Sequence, residues 1–182
     1  MVKIKEVLTM ILLIAGTSHT GKTVLSQKLL ERYHYPTLSI DHLKMGLIRS
    51  GQTALTPMDS DEALTDYLWP ILREMIKTAI ENSQNLIIEG CYIPQNWAKD
   101  FGPEYLPHIR CRFLIMTERY IRTHWNHIRA HANDIEQRLE DDLSMEALIA
   151  DNQKNLELCK KFGCPYLLAD DRYDFSVDAF MA

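Results

Sequence analysis

Apolar side chains fall along this chain in two alternating patterns: short unbroken runs, and longer stretches where they return every three or four positions. Residues 7–15 form the first run, closed by Gly16, and predict a strand buried on both faces. From 21 to 33, Val24, Leu25, Leu29 and Leu30 carry helical spacing. Pro36 punctuates, a second short strand spans 37–40, and a helix over 42–49 stops near Ser50 and Gly51. A polar stretch reaches Ser60, and a long helical pattern follows over 61–82, with Pro70 expected to break or kink it. Further strands are predicted at 86–88, 111–116 and 165–169. Between the last two lie helical stretches over 118–135 and 144–161, with Gly163 placed to terminate the second.

Strand–helix alternation of this kind predicts an α/β fold, a parallel sheet covered by helices on both faces. Repeats, low-complexity tracts and linkers are absent, so residues 1–182 read as a single domain. Open parallel sheets bind ligands at the carboxyl ends of their strands. The residues in those positions are Gly16, Asp41, Glu89, Thr117 and Asp170, and three of the five are carboxylates.

The segment Gly16-Thr17-Ser18-His19-Thr20-Gly21-Lys22-Thr23 matches G-x4-G-K-[ST] in full, between a predicted strand and a predicted helix. Its glycines let successive backbone N–H groups turn inward around a phosphate, and the helix start adds the positive end of its dipole. Lys22 supplies a mobile charge for β- and γ-phosphates, and Thr23 a hydroxyl for Mg²⁺. A nucleoside triphosphate site is therefore expected here. Asp41 would face the γ-phosphate across the cleft, where it could take the proton of an acceptor hydroxyl or orient it. As a helix N-cap it would serve structure as well. Glu89, in Ile87-Ile88-Glu89-Gly90, takes the Walker B position and would hold Mg²⁺ directly or through water, so Thr23 and Glu89 are the expected metal ligands.

After the fourth strand, Arg119, Arg122 and Arg129 are spaced to share one helical face, with Tyr120, Ile121, Trp125 and Ile128 packing. Arginines over a triphosphate would neutralise charge on the transferring group, Arg122 and Arg129 foremost; a solvated charged face is the alternative. His124, His127 and His131 on the same helix lack a completing ligand and read as polar surface residues. Trp69 and Trp97 suit packing, although Trp97 with Tyr92 could wall a substrate pocket just after Glu89. Asp170-Asp171-Arg172-Tyr173 could meet a nucleotide base or form a turn.

Composition narrows the classes. The 182 residues carry 20 Lys+Arg against 25 Asp+Glu, a net charge of −5, and 46% hydrophobic side chains. Disorder and coiled coil are excluded for the bulk of the chain, and a dedicated duplex nucleic-acid binder is disfavoured. The acid excess is regional: residues 1–131 carry +2 and residues 132–182 carry −7, which leaves a small phosphate site intact. Cys91, Cys111, Cys159 and Cys164 form no C-x2-C pair and read as buried free thiols. Lys3 and Lys5 before the first apolar run imitate a signal peptide, but cleavage there would remove the phosphate loop. With no stretch near about 18 apolar residues, no membrane partner is expected and a cytoplasmic location is.

Taken together, GTSHTGKT, Ile40-Asp41, Ile88-Glu89-Gly90 and the arginine-bearing helix resemble the P-loop small-molecule kinases, the group of adenylate, shikimate and gluconate kinases. The resemblance covers nearly the whole chain. It implies a three-layer P-loop NTPase fold with a five-stranded parallel sheet of order 2-3-1-4-5 and a helical lid over about 119–140. It further implies that Asp41 and Arg49 face the phosphoryl acceptor and that the loop with Asp170 flanks adenine. Ile88-Glu89-Gly90-Cys91-Tyr92-Ile93-Pro94 is similar to the corresponding segment of 2-phosphoglycerate kinases and zeta-toxin-like kinases. The chain departs from the adenylate kinase loop G-x-P-G-x-G-K-G, and from the D-x-D of shikimate kinases, where it has Asp41-His42-Leu43. The expected activity is ATP- and Mg²⁺-dependent phosphorylation of a hydroxyl on a small metabolite: a 2-phosphoglycerate-like compound, a sugar acid or a nucleoside. Alternatives are a nucleoside monophosphate kinase, a polynucleotide 5′-hydroxyl kinase and a regulatory nucleotide switch. The switch is opposed by the absence of an N-K-x-D base-reading motif, and the oligomeric state stays open between monomer and homodimer.

Overall fold

A computed structural model describes residues 9–130 and 144–182. The first apolar run becomes strand β1 (Ile11–Gly16), with every residue buried. Its side chains alternate between two cores. Ile11, Leu13 and Ala15 point into one, with Leu64, Leu68, Leu72 and Ile76; Leu12 and Ile14 point into the other, with Leu25, Leu29, Ile121 and Leu148. A strand buried this way needs apolar residues at successive positions, which is why the run is unbroken.

The remaining elements are α1 (Lys22–Tyr33), β2 (Thr37–Ser39), α2 (Ile40–Arg49), α3 (Asp61–Glu81), β3 (Leu86–Gly90), β4 (Ile109–Met116), α4 (Glu118–Ala130), α5 (Met145–Phe162), β5 (Tyr166–Ala169) and α6 (Val177–Met181). All strand pairs are parallel and the order is β2-β3-β1-β4-β5, as the resemblance implied. The fold is the three-layer α/β arrangement with helices on both faces. Glu89 lies opposite Ile14 of β1 and Ser39 of β2 at once, so the carboxyl ends of β1, β2 and β3 finish level. That register gathers Gly16, Asp41 and Glu89 at one end of the sheet.

Four expectations need adjustment. β3 continues through Glu89 and Gly90, so Glu89 is a buried strand residue rather than the first residue beyond the strand. α2 begins at Ile40, which puts Asp41 inside the first helical turn, not before it. α3 runs through Pro70 as one helix. Loss of one backbone bond there is outweighed by buried Leu68, Trp69 and Leu72 around it. Most consequential, α4 is interrupted at His124, with φ −113° and ψ 16°, so Arg129 does not continue the helical face carrying Arg119 and Arg122. The α4 prediction extended to 135 and the lid to 140; residues 131–140 lie outside the described residues, as does His131. Helix starts follow expected chemistry: Ser60 and Ser144 accept from the N–H groups of Ala63 and Ala147 at 3.2 and 3.3 Å, and Gly163 ends α5 at φ 63°.

Candidate active site

The loop between β1 and α1 is shaped by close approaches. At Gly16 a Cβ would stand 2.6 Å from the Leu114 carbonyl oxygen. At Gly21, φ is 82° and a Cβ would collide with the Tyr173 hydroxyl. His19 also takes a left-handed conformation at φ 61°. Within the loop, the Thr17 carbonyl accepts the Lys22 ammonium at 2.6 Å and the Thr20 hydroxyl at 2.9 Å. The Lys22 side chain is thus folded against the loop it belongs to, and it is buried. From outside, the Tyr173 hydroxyl donates to the Thr20 carbonyl at 3.1 Å, and the Asn152 amide donates to Thr17 Oγ1 at 3.1 Å. Ser18 Oγ faces Cys91 Sγ at 3.8 Å.

Thr23, on the first turn of α1, donates its hydroxyl to Glu89 Oε2 at 3.4 Å across the strand boundary. Glu89 is only 3% exposed. A hydroxyl and a buried carboxylate so placed are hard oxygen donors of the sort Mg²⁺ takes, since that ion keeps several waters and draws further ligands from phosphates. The pair fits a Mg²⁺ site. Among the described residues no group of three or more His, Cys, Asp or Glu is arranged to hold a metal.

Opposite the loop stands a cluster that sequence reasoning half missed. The Lys44 ammonium donates to Asp41 Oδ1 at 2.5 Å and to the Tyr92 hydroxyl at 2.9 Å. The Lys44 side chain is 11% exposed and that of Asp41 32%. Burial alone would pull the Lys44 ammonium down; the bonds to Asp41 and Tyr92 outweigh it, and its pKa is raised. Burial raises the Tyr92 phenol, with Lys44 acting against it. Tyr92 and Asp41 were both expected in the site and the structure brings them to one cation. Arg49 is exposed on the last turn of α2, about 12 Å along the axis from Asp41 at 1.5 Å per residue, so the cation beside Asp41 is Lys44. The signal for Lys44 was its spacing of three from Asp41, one helical turn. Trp97 is buried in the core against Phe101 and belongs to packing.

Two arginines of α4, Arg119 and Arg122, are held by carboxylates. Arg119 pairs with Asp170 and, at 2.6 Å, with Asp171. Arg122 pairs with Glu118 at 2.8 Å and Glu146 at 3.0 Å, joining α4 to α5. Arg129 is exposed beyond the His124 interruption. The Asp170 carboxylate also accepts from Thr117 Oγ1 at 2.9 Å, and its bonds to Arg119 and Thr117 hold it below the usual carboxylate range. Beside it, Tyr120 stacks on His124 at 4.2 Å, and Tyr173 leans on Phe175 at 4.6 Å. Three of the four cysteines are buried; Cys91 is partly exposed at the loop. Among the described residues no helix is long and apolar enough to cross a membrane.

No family model matches the chain, and no curated protein matches it in sequence. Solved structures do share its fold. A sugar kinase from Janibacter sp. HTCC2649 aligns at TM-score 0.56 and 14% identity, over 95% of this chain and 93% of that one. A gluconokinase from Sinorhizobium meliloti 1021 aligns at 0.54 and 14%, over 95% and 90%. A shikimate kinase from Bacteroides thetaiotaomicron aligns at 0.53 and 14%, over 94% and 93%. The chain has the fold of the P-loop small-molecule kinases. At these identities the likeness carries no particular substrate.

Proposed function

We propose that this chain is an ATP-dependent kinase that moves the γ-phosphoryl group to a hydroxyl of a small metabolite. The observation that carries the reading is the meeting, at one end of the sheet, of the phosphate loop, the Thr23–Glu89 pair and the Asp41–Lys44–Tyr92 cluster. Loop N–H groups and Lys22 cradle the β- and γ-phosphates; Lys22 exchanges the Thr17 carbonyl for a phosphate oxygen, a stronger charged partner. Thr23 and Glu89 would hold Mg²⁺, which would supply neutralisation of the triphosphate's charge. Asp41 receives or orients the acceptor proton as the acceptor oxygen bonds to the γ-phosphorus and the bond to ADP breaks. Lys44 fixes which way the Asp41 carboxylate points.

Arg122 is the proposed neutraliser of charge on the transferring group, and Arg129, off that helical face, could join it only from beyond the His124 interruption. Arg122's pairs with Glu118 and Glu146 are solvent-exposed, and exposed pairs contribute only about 0–1 kcal/mol, so a phosphate can displace them at little cost. Asp170 and its loop would flank the base. With Lys44 paired to Asp41, the exposed Arg49 is the cation of α2 left to favour an acceptor that itself bears negative charge, such as a phosphoglycerate-like compound or a sugar acid. The proposed setting is cytoplasmic.

The test is transfer of label from γ-labelled ATP with Mg²⁺ to a panel of sugars, sugar acids, glycerate derivatives, nucleosides and nucleoside monophosphates. One labelled acceptor, lost in Lys22→Ala, is the expected result. Hydrolysis without any labelled acceptor, stimulated by a protein partner, would replace the kinase with a nucleotide switch.

A further inference from the structure

Asn152 lies on α5, outside every motif of the chain, and is 1% exposed. Its neighbours one turn away along the helix are apolar, Leu148 before and Leu156 after. A leucine would fill the position, and burying an amide costs free energy that only well-made bonds recover. Asn152 makes three. Oδ1 accepts the Met116 N–H at 2.8 Å, where β4 ends. Nδ2 donates to the Leu148 carbonyl at 2.8 Å and to Thr17 Oγ1 at 3.1 Å, which uses both of its donors.

The bond to Thr17 is the one that reaches the phosphate loop. Thr17 is also the residue whose carbonyl holds the Lys22 ammonium and the Thr20 hydroxyl. Its hydroxyl is gripped from α5 while its carbonyl organises the loop. We infer that Asn152 is a positioning residue for the phosphate loop, acting through Thr17, so that α5 helps set nucleotide affinity. The inference rests on the loop being a triphosphate site. By reciprocity, a nucleotide in the loop stabilises α5.

The test measures the Kd of a non-hydrolysable MgATP analogue by calorimetry, beside the thermal midpoint, for wild type, Thr17→Val, Thr17→Ser, Asn152→Leu and the Thr17→Val/Asn152→Leu double variant. Each of Thr17→Val and Asn152→Leu should weaken binding by about tenfold, as expected when the buried hydrogen bond that reaches the loop is lost. The double variant should bind no worse than the weaker-binding single one, because the bond that the two variants share is the one that joins α5 to the loop. Thr17→Ser, which keeps the hydroxyl, should recover most of the affinity lost in Thr17→Val. A lowered midpoint with unchanged Kd in the single variants would overturn the inference, as would effects that multiply in the double variant. Should Asn152→Leu fail to fold, amide exchange decides: the analogue slows exchange across α5 in wild type and not in Thr17→Val, and equal slowing in both overturns the inference. A wild type that does not bind the analogue overturns the kinase reading itself, and the inference with it.

Discussion

Replacing Lys44 with methionine removes the cation from the Asp41–Lys44–Tyr92 cluster while keeping most of its alkyl volume. Two bonds go: the one to Asp41 at 2.5 Å and the one to Tyr92 at 2.9 Å. Hydrogen bonds involving a charged group contribute about 1.5–3 kcal/mol each. Against that, folding no longer has to bury an ammonium whose side chain is 11% exposed, and the Asp41 carboxylate, 32% exposed, can turn to water. A net loss of about 2 kcal/mol follows, and for a chain of this length that lowers the thermal midpoint by about 4–8 °C. The informative quantity is the coupling, from a cycle of Lys44→Met, Asp41→Asn and the double variant in urea denaturation. About 1–2 kcal/mol of coupling is expected, with a smaller value for Lys44→Met against Tyr92→Phe. Free energies that add within about 0.5 kcal/mol would refute the claim that Lys44 holds Asp41.

Gly21→Ala should weaken binding of the MgATP analogue by about 100-fold or more, since the new methyl meets the Tyr173 hydroxyl at φ 82°; a Kd within twofold of wild type would contradict this. Leu72→Ala, at a position with no exposure, should cost about 2–5 kcal/mol in urea denaturation without changing the analogue's Kd in the variant that remains folded. For Asp170, a folded pKa below 3.8 means that its stabilisation is complete above that value and is lost as pH falls through the lowered pKa. The midpoint difference between wild type and Asp170→Asn should therefore stay level from neutral pH to about pH 5 and shrink below it.

The sheet and half of the candidate site were legible because their signals are local. An unbroken apolar run means a doubly buried strand, and the phosphate loop needs its glycines, lysine and threonine at set intervals, so both can be read without knowing what lies opposite. Asp41 and Glu89 were legible from their places near strand ends, although Glu89 proved to be inside β3. Lys44 was hidden because a lysine on an amphipathic helix looks like any solvated cation; only its one-turn spacing from Asp41 sets it apart. Asn152 left one trace, a polar residue on an apolar stripe, and its partner Thr17 is 135 positions away. Glu118 stands one helical turn before Arg122 within α4, but the other carboxylates on Arg119 and Arg122 come from α5 and from the segment after β5, which no spacing within α4 foretells. The interruption at His124 carries no Pro or Gly to announce it. α6 is only five residues long, too short for periodicity to show.

The central claim is that Asp41 handles the acceptor while the loop handles the nucleotide, and Asp41→Asn separates the two. The measurement is acceptor-dependent ADP release from MgATP across the metabolite panel, with the Kd of the MgATP analogue determined on the same samples. Asp41→Asn should lose about 100-fold or more of acceptor-dependent release, as befits a general base, while analogue binding stays within a few-fold of wild type. Equal acceptor-dependent release by wild type and Asp41→Asn would contradict it.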